Sequence, residues 1–130
     1  SKKMKYEFSP EWTQKALELC EVLGFAHVKK DRIKCFKSWG TSTRRTIARI
    51  HGLGKLMQLT LGINAAYAIE LISEKFDNQP EAEKIKTLIH ELMHIPHSFG
   101  GGFRQHKPFV THKQVELVYE KYLNLRQKYL

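Results

Sequence analysis

One amphipathic segment, residues 80–95, constrains the fold of this chain more than any other part of it. Its apolar residues recur at helical spacing, and at about 100° of rotation per residue they fall on one side of a helix. They are Ile85, Leu88, Ile89, Leu92 and Ile95. Asp77-Asn78 ahead of Pro80 indicates a helix start, and Pro96 disfavours helical geometry at the residue before it. We expect a helix that packs by its apolar side and ends directly after His94.

The polar side of this helix carries a His-Glu-x-x-His pattern at residues 90–94. His90 and His94 lie one turn apart, so both imidazoles can reach the same Zn²⁺ ion. Glu91 would then lie beside the metal without binding it, placed to take a proton from a zinc-bound water. The alternative is a chance pattern on a solvated surface helix. The packing pattern of the opposite side favours the metal site.

A hydrolytic zinc ion usually has three protein ligands and an open position for water, so a third ligand is expected downstream. His106 is our first choice because three consecutive glycines in the run Ser98–Gly102 can adopt backbone conformations closed to other residues and so reverse the chain. His97 is only three residues past the second histidine and is better explained as a group that faces the substrate. Glu116 and His112 remain alternative ligands.

The region around the pattern resembles a known family. The run Thr87–Pro96, followed by Phe99-Gly100-Gly101 and Arg104-Gln105-His106, is similar to the metallopeptidases of archaea and phages, relatives of the SprT-like zincins. The resemblance covers roughly Ile63 to Val110 and combines the histidine pattern, the proline, the glycines and the later histidine.

This resemblance implies that His90, His94 and His106 are the zinc ligands and that Glu91 is the catalytic base. The sequence departs from the metzincin pattern, which has glycine at the place of His97 and its third histidine at the place of Gly100. We therefore do not expect a metzincin.

The remaining patterns predict a helix, strands and a second helix around this centre. Ser9-Pro10-Glu11 is typical of a capped helix start, and Gly24 of its end. Strands are expected at Ile33–Trp39, Thr46–His51, Leu56–Leu61 and Tyr67–Leu71, with Gly52-Leu53-Gly54 as the turn between the second and third.

A final helix should begin at Thr111, which forms a capping box with Gln114. Its buried stripe would be Val115, Val118, Tyr119, Tyr122, Leu125 and Tyr129. Together the patterns predict an α+β fold over residues 1–130: one compact zincin-like domain with a small mixed β-sheet, the histidine-bearing helix and a C-terminal helix.

The expected reaction is hydrolysis of peptide bonds in a protein or peptide substrate. By resemblance, the strand Tyr67–Leu71 or its neighbour would be a sheet edge that aligns an extended peptide by backbone pairing; an ordinary interior strand is the alternative. The oxyanion of the reaction needs a donor near the metal. Candidates for that donor are Tyr119, Arg104, His97 and His112, and the sequence does not rank them.

The charge of the chain indicates which kinds of partner it could bind. The formal net charge is +9 and the isoelectric point about 9.6, with basic residues concentrated over residues 29–55, so nucleic acid is a candidate partner beside an ordinary solvated basic surface. The main alternative function is a basic nucleic-acid-binding module with a structural or inactive zinc site.

Cys20 and Cys35 are predicted to be buried thiols, and His27 and His51 are predicted to be structural or solvated. We expect a cytoplasmic protein without membrane spans.

Overall fold

A four-stranded mixed sheet with strand order β1-β2-β4-β3 carries the rest of the fold. The computed structural model describes the backbone of residues 3–129 and the side chains of residues 3–128. The strands are β1 (Lys5–Phe8), β2 (Ile33–Trp39), β3 (Ala48–Gly52) and β4 (Tyr67–Ile72). β4 pairs with β2 in parallel and with β3 antiparallel, and β1 is antiparallel to β2. Within the described residues, β1 and β3 are therefore the edges.

The described part of the chain also has six α-helices. They are α1 (Pro10–Leu23), α2 (Lys55–Leu61), α3 (Ser73–Phe76), α4 (Glu81–Met93), α5 (His106–Phe109) and α6 (His112–Arg126). Helices α1 and α4 contact β2 and β3 respectively, and α6 contacts both helices. None of the described helices is long and apolar enough to cross a bilayer.

The core lies between α1, α4 and one face of the sheet. Cross-strand partners share a face, so the pairs Cys35–Ile69 and Ile50–Ile69 point the same way. Ile69 and Cys35 are fully buried there, and the apolar side of α4 buries Leu88, Ile89 and Leu92 completely. The α+β class and the small mixed sheet predicted from the sequence are confirmed.

The predicted ends of α1 and α6 are also confirmed. The Ser9 hydroxyl accepts a hydrogen bond from the Trp12 amide at 3.2 Å, and α1 ends at Gly24. Thr111 and Gln114 form the reciprocal capping box at the start of α6. In the predicted stripe of α6, Val115 and Tyr122 are buried, whereas Val118, Tyr119 and Leu125 are partly buried. The side chain of Tyr129 lies outside the described residues.

The strand predicted at Leu56–Leu61 is wrong, because this segment is helix α2. Its alternation of apolar and polar residues does not bury one sheet face: Met57, Leu59 and Leu61 are all exposed, and Gln58 is the buried residue. Gly54 and Gly62 cap this helix at its two ends. Gly52-Leu53-Gly54 consequently joins a strand to a helix and is not a hairpin turn.

Other differences concern short elements. The strand predicted at Thr46–His51 is β3, Ala48–Gly52, and the strand predicted at Tyr67–Leu71 is β4. The sequence pattern missed β1, whose four residues are all exposed and show no alternation of burial. It also missed α3, the short helix between β4 and α4.

Candidate metal centre

The histidines of the pattern lie at the C-terminal end of α4, as its sequence predicts. His90 is in the last turn, and His94 is the C-terminal capping residue of the helix that ends at Met93. The opposite side of α4 is buried against the core. The polar side of the helix therefore faces a cleft between β3 and the loop that follows α4. Both imidazoles line this cleft.

The loop after α4 brings the chain back beside the same histidines. The Arg104 amide donates to the His94 carbonyl oxygen at 2.7 Å, and Nδ1 of His94 lies 2.7 Å from the Arg104 carbonyl oxygen. A carbonyl oxygen only accepts, so Nδ1 of His94 carries the proton and its Nε2 presents a lone pair. Two residues further on, His106 begins α5 with its ring centroid 4.5 Å from that of His94.

These three imidazoles form a compact donor set. His90, His94 and His106 offer ligand atoms that all lie within 4.8 Å of one another. Nε2 of His90 and Nε2 of His94 are 3.3 Å apart, which is the separation of about 3.3 Å expected for two nitrogens on a tetrahedral zinc ion with bonds of about 2.0–2.1 Å. The two histidines of α4 are therefore spaced as ligands of one metal ion, and His106 offers a third donor atom within 4.8 Å of theirs.

The electrostatic setting favours a metal over protons. Burial, followed by the nearby His94 and His106 rings, lowers the pKa of His90 to about 4. Burial also lowers the pKa of His94, against the opposing effect of its hydrogen bond to the Arg104 carbonyl, and His106 lowers it further. Both imidazoles are thus neutral at pH 7, the state in which histidine binds metals.

Glu91 lies next to this donor set but within the wall of the cleft. Only 6% of the residue is exposed, and burial raises the pKa of its carboxyl group to about 7. Glu91 lines the cleft together with His90 and His94. A carboxyl group in such a setting can exchange a proton near neutral pH.

The cleft extends on both sides of the histidines. On one side its walls come from β3 and the loop after α4: Thr46, Ala48, Arg49, Ile50, Phe103 and Arg104. On the other side the walls come from the start of β3, the polar side of α4 and the start of α6: Arg45, Ala48, Glu83, Thr87, His112 and Glu116. The edge strand β3 therefore contributes to both sides of the cleft, whereas β4 is an interior strand.

The alternative ligands considered from the sequence lie elsewhere. His97 stacks on His27 with centroids 4.5 Å apart, and Glu116 forms an ion pair with Lys86 at 3.1 Å. His112 lies 3.8 Å from Glu116 at the far end of the cleft. The three-residue group that the described residues offer to a metal contains His106 and none of these alternatives.

The four candidate oxyanion donors lie at different places relative to the cleft. Arg104 lines the cleft beside the three imidazoles, with its guanidinium 4.5 Å from the Phe109 ring centroid. His112 lines the other side of the cleft. Tyr119 lies under the ammonium group of Lys86 at 5.1 Å, and His97 is occupied by its ring contact. Of the four candidates, Arg104 lines the same part of the cleft as all three imidazoles.

Two residues that hold the glycine loop were not identified from the sequence. The Tyr67 hydroxyl accepts a hydrogen bond from the Gly101 amide and donates one to the Gly102 carbonyl, each at 2.8 Å. Gln58 donates to the Gly100 carbonyl at 2.8 Å and to the Leu53 carbonyl at 2.7 Å. The alternation of Tyr67, Ile69 and Leu71 along their strand is a signal that could have marked Tyr67 as buried, whereas nothing in the pattern marks Gln58.

A second polar group, also missed, lies on the other face of the sheet. Glu70 on β4 is 3% exposed and accepts hydrogen bonds from Ser38 at 2.6 Å and Arg49 at 2.9 Å. His51 lies 2.8 Å from the same carboxylate, so it is neither isolated nor merely solvated. Burial raises the pKa of Glu70, but the hydrogen bonds from Arg49, Ser38 and His51 outweigh it and hold the pKa at about 2.

Comparison with known proteins gives one family match. The family described as putative phage metallopeptidase matches residues 4–118 of the chain. The match includes both histidines of α4, the glycine loop and His106. No curated protein and no solved structure matches the chain.

Proposed function

We propose, starting from the membership of this chain in the putative phage metallopeptidase family, that it is a zinc-dependent metallopeptidase with a zincin-like fold related to SprT-like proteins. The observation that carries the proposal is the set of three imidazole donors within 4.8 Å of one another beside a buried carboxyl group. His90, His94 and His106 would hold the ion, and Glu91 would act as the general base.

The residues divide the chemistry between them. A bound zinc ion would polarise the scissile carbonyl and acidify its water ligand. Glu91 accepts the proton of the attacking water and then passes it to the leaving amine, for which a pKa of about 7 is well matched. Arg104, which lines the cleft beside the imidazoles, is the proposed donor to the negative charge that develops on the carbonyl oxygen.

Strand β3 is the proposed site of substrate alignment. It is an edge of the sheet, and its residues Ala48 and Ile50 line the cleft beside the histidines. An edge strand leaves backbone N–H and C=O groups free, so an extended peptide can pair with it across the cleft with little dependence on side chains. We therefore expect broad sequence tolerance.

The test is metal content together with proteolysis. The purified protein should contain one zinc ion per chain and should hydrolyse casein, and a chelator should abolish this hydrolysis until zinc is added back. Replacing His106 with Ala should weaken zinc binding more than about 100-fold, because even outer-shell contacts are worth about 10–100-fold. His97→Ala is the matched control. Full zinc affinity in the His106 variant would contradict the ligand assignment.

A second candidate function follows from the charge. The chain has a formal net charge of +9, and several basic residues between β2 and the start of α2 are exposed: Lys34, Arg44, Arg45 and Lys55. We propose that the substrates include proteins bound to nucleic acid; the alternative is a basic nucleic-acid-binding module whose zinc site is structural or inactive.

Measuring DNA binding at increasing salt concentration, together with casein hydrolysis, distinguishes these two functions. Binding to labelled DNA should weaken more than about tenfold between 50 and 200 mM salt if phosphates are neutralised by several lysine and arginine side chains. Salt-sensitive binding without casein hydrolysis under any metal condition would favour the module over the peptidase. Hydrolysis without measurable DNA binding at 50 mM salt would remove nucleic acid from the proposal.

A further inference from the structure

The glycine loop, residues 100–102, has no side chains with which to hold its own shape. Glycine also loses more conformational freedom on folding than any other residue. Gly101 has a φ of 102°, and Phe99, just before the loop, has a φ of 49°, a left-handed conformation that is uncommon outside glycine. Such a backbone persists only where the surrounding structure imposes it. The shape of this loop must therefore come from other parts of the chain.

Two side chains from distant elements supply the contacts that hold the loop. The amide nitrogen of Gln58, on α2, donates to the Gly100 carbonyl at 2.8 Å. The hydroxyl of Tyr67, on β4, accepts from the Gly101 amide and donates to the Gly102 carbonyl, each at 2.8 Å. Both side chains are buried. Each of the three glycines is thus held by one hydrogen bond from a side chain outside the loop.

Tyr67 holds the chain through its ring as well as its hydroxyl. The ring centroid lies 4.9 Å from that of Phe99 and 5.8 Å from that of Phe103, and both contacts are edge-to-face. Tyr67 therefore touches the chain before, within and after the glycine loop. Because the ring and the hydroxyl make separate contacts, removing the hydroxyl alone tests the hydrogen bonds without emptying the space that the ring fills.

The loop leads directly to the third donor of the metal centre. His90 and His94 are positioned by α4, whose apolar side is buried in the core. His106 depends instead on the chain before it: it is exposed and begins a helix of four residues, four positions after Gly102. Between them, Arg104 bonds to His94 through both its amide and its carbonyl. These bonds require the chain to leave the glycine loop in the direction of His94.

We propose that Tyr67 and Gln58 are positioning residues of the metal centre, which set its affinity for zinc by holding the glycine loop and, through it, His106. This role rests on the zinc site of the proposed peptidase and adds to that site two residues outside the donor set. It also gives α2 a function, because the one buried residue of that helix is the glutamine that holds the loop.

The zinc affinity of Tyr67→Phe tests this role. The variant keeps the ring and leaves the Gly101 amide and the Gly102 carbonyl without their partner. We expect titration against a chromophoric chelator to show zinc binding weakened by about 10–100-fold, the effect typical of residues that orient metal ligands. The absorption spectrum of the Co²⁺-loaded variant should also differ from that of the parent, because the coordination geometry changes. Gln58→Met, which cannot donate, should change both measurements in the same direction.

Tyr122→Phe is the matched control. Tyr122 is fully buried, and its hydroxyl donates to the Glu18 carboxylate, which joins α6 to α1. Losing this hydroxyl should lower the melting temperature without changing zinc affinity or the Co²⁺ spectrum. Circular dichroism shows that each variant is folded at the temperature of the titration. Zinc affinity and a Co²⁺ spectrum equal to those of the parent in Tyr67→Phe would overturn the positioning role.

A double-mutant cycle tests whether Tyr67 acts through His106. In the His106→Ala background the two histidines of α4 remain and bind zinc weakly. Adding Tyr67→Phe should there change zinc affinity by less than about twofold, because the ligand that the loop positions is absent. An equal loss of affinity in both backgrounds would overturn the route through His106.

Casein hydrolysis separates this role from the proposed function. Weaker zinc binding in Tyr67→Phe, with no hydrolysis by the zinc-loaded parent, would support the positioning role and contradict the peptidase. An active parent whose Tyr67 variant keeps full zinc affinity would overturn the positioning role alone. A parent protein that binds no zinc would overturn both.

Discussion

Glu91 is almost fully buried, and this burial raises the pKa of its carboxyl group to about 7. Glu91→Gln preserves the shape of the side chain and removes its ability to accept a proton. We expect zinc content and thermal stability to stay near those of the parent protein, while kcat for casein falls by about 10²-fold or more. Elemental analysis and initial rates measure the two effects.

A parallel loss of metal and activity in that variant would contradict the separation between ligands and base. His90→Ala serves as the reference for such a loss, because it removes one of the three donors. The ratio of zinc content to activity in the two variants therefore distinguishes a ligand from a base.

Glu70 is a residue whose role is stability. With a folded pKa of about 2 against an ordinary value of 4.5, the carboxylate contributes about 3 kcal/mol of folding free energy at neutral pH. Because the folded pKa is the lower one, this contribution is present above pH 4.5 and is lost as the pH falls toward 2. Glu70→Gln should lower the free energy of unfolding by about 2–3 kcal/mol at pH 7.

Urea unfolding at several pH values checks this expectation. The parent protein and the Glu70 variant should differ most at pH 6–7 and converge as the pH falls below about 4.5. A difference that is constant over this range would show that packing, and not the charge of Glu70, stabilises the sheet face.

The glycine loop is the element on which the position of His106 depends. Gly101 has a φ of 102°, and a Cβ atom there would meet the Leu53 carbonyl and lie 2.8 Å from the Gln58 amide nitrogen. Gly101→Ala should therefore destabilise the protein by about 1–3 kcal/mol and weaken zinc binding, because the loop that places His106 must shift. Melting temperature and zinc affinity measure the two consequences.

Gly102→Ala is the control for the loop, since a Cβ atom at Gly102 meets nothing within 4 Å. It should leave both stability and zinc affinity close to those of the parent protein. Equal effects of the two substitutions would mean that general stiffness of the loop matters, and not the close approach at Gly101.

Helices were predicted from the sequence where local chemistry determines them. The apolar spacing in α4, the caps of α1 and α6, and the proline after Ile95 each depend on residues a few positions apart. Helix α2 was mistaken for a strand because a short alternation of leucine with glutamine and threonine fits either period. The segment forms a helix because Gly54 and Gly62 cap its two ends and because the Gly100 carbonyl, 42 residues further along the chain, accepts a hydrogen bond from Gln58.

The whole fold required information that no local pattern holds. The strand order β1-β2-β4-β3 places β4 inside and β3 at the edge, and this order follows from pairings between distant residues: Gly52 pairs with Tyr67, 15 positions on, and Ile33 pairs with Tyr67, 34 positions on. The network around Glu70 is assembled from three strands, so its partners could not be chosen before the register was known. The histidine group was predictable because two members share a helix and the third follows a recognisable turn.

Two buried thiols report on the integrity of the whole molecule. Burial raises the pKa of Cys20 and of Cys35 to about 12, so both are protonated at pH 8 and shielded from reagents. We expect thiol-specific reagents to modify neither cysteine in the folded protein and both in 6 M guanidinium chloride. The rate of modification in the native state should follow the global unfolding equilibrium. Rapid reaction of either thiol would indicate local opening of the core.

The paired hydrogen bonds between His94 and Arg104 have a consequence for how this chain tolerates insertions. They join the two ends of segment 95–103, so an insertion that leaves the glycine run 100–102 intact keeps the points at which the backbone enters and leaves the segment. Added residues at the exposed position Ser98 would enlarge a closed loop and leave the spacing from Arg104 to His106 untouched. A tag or sensor peptide could therefore be inserted there while the chain keeps its affinity for metal.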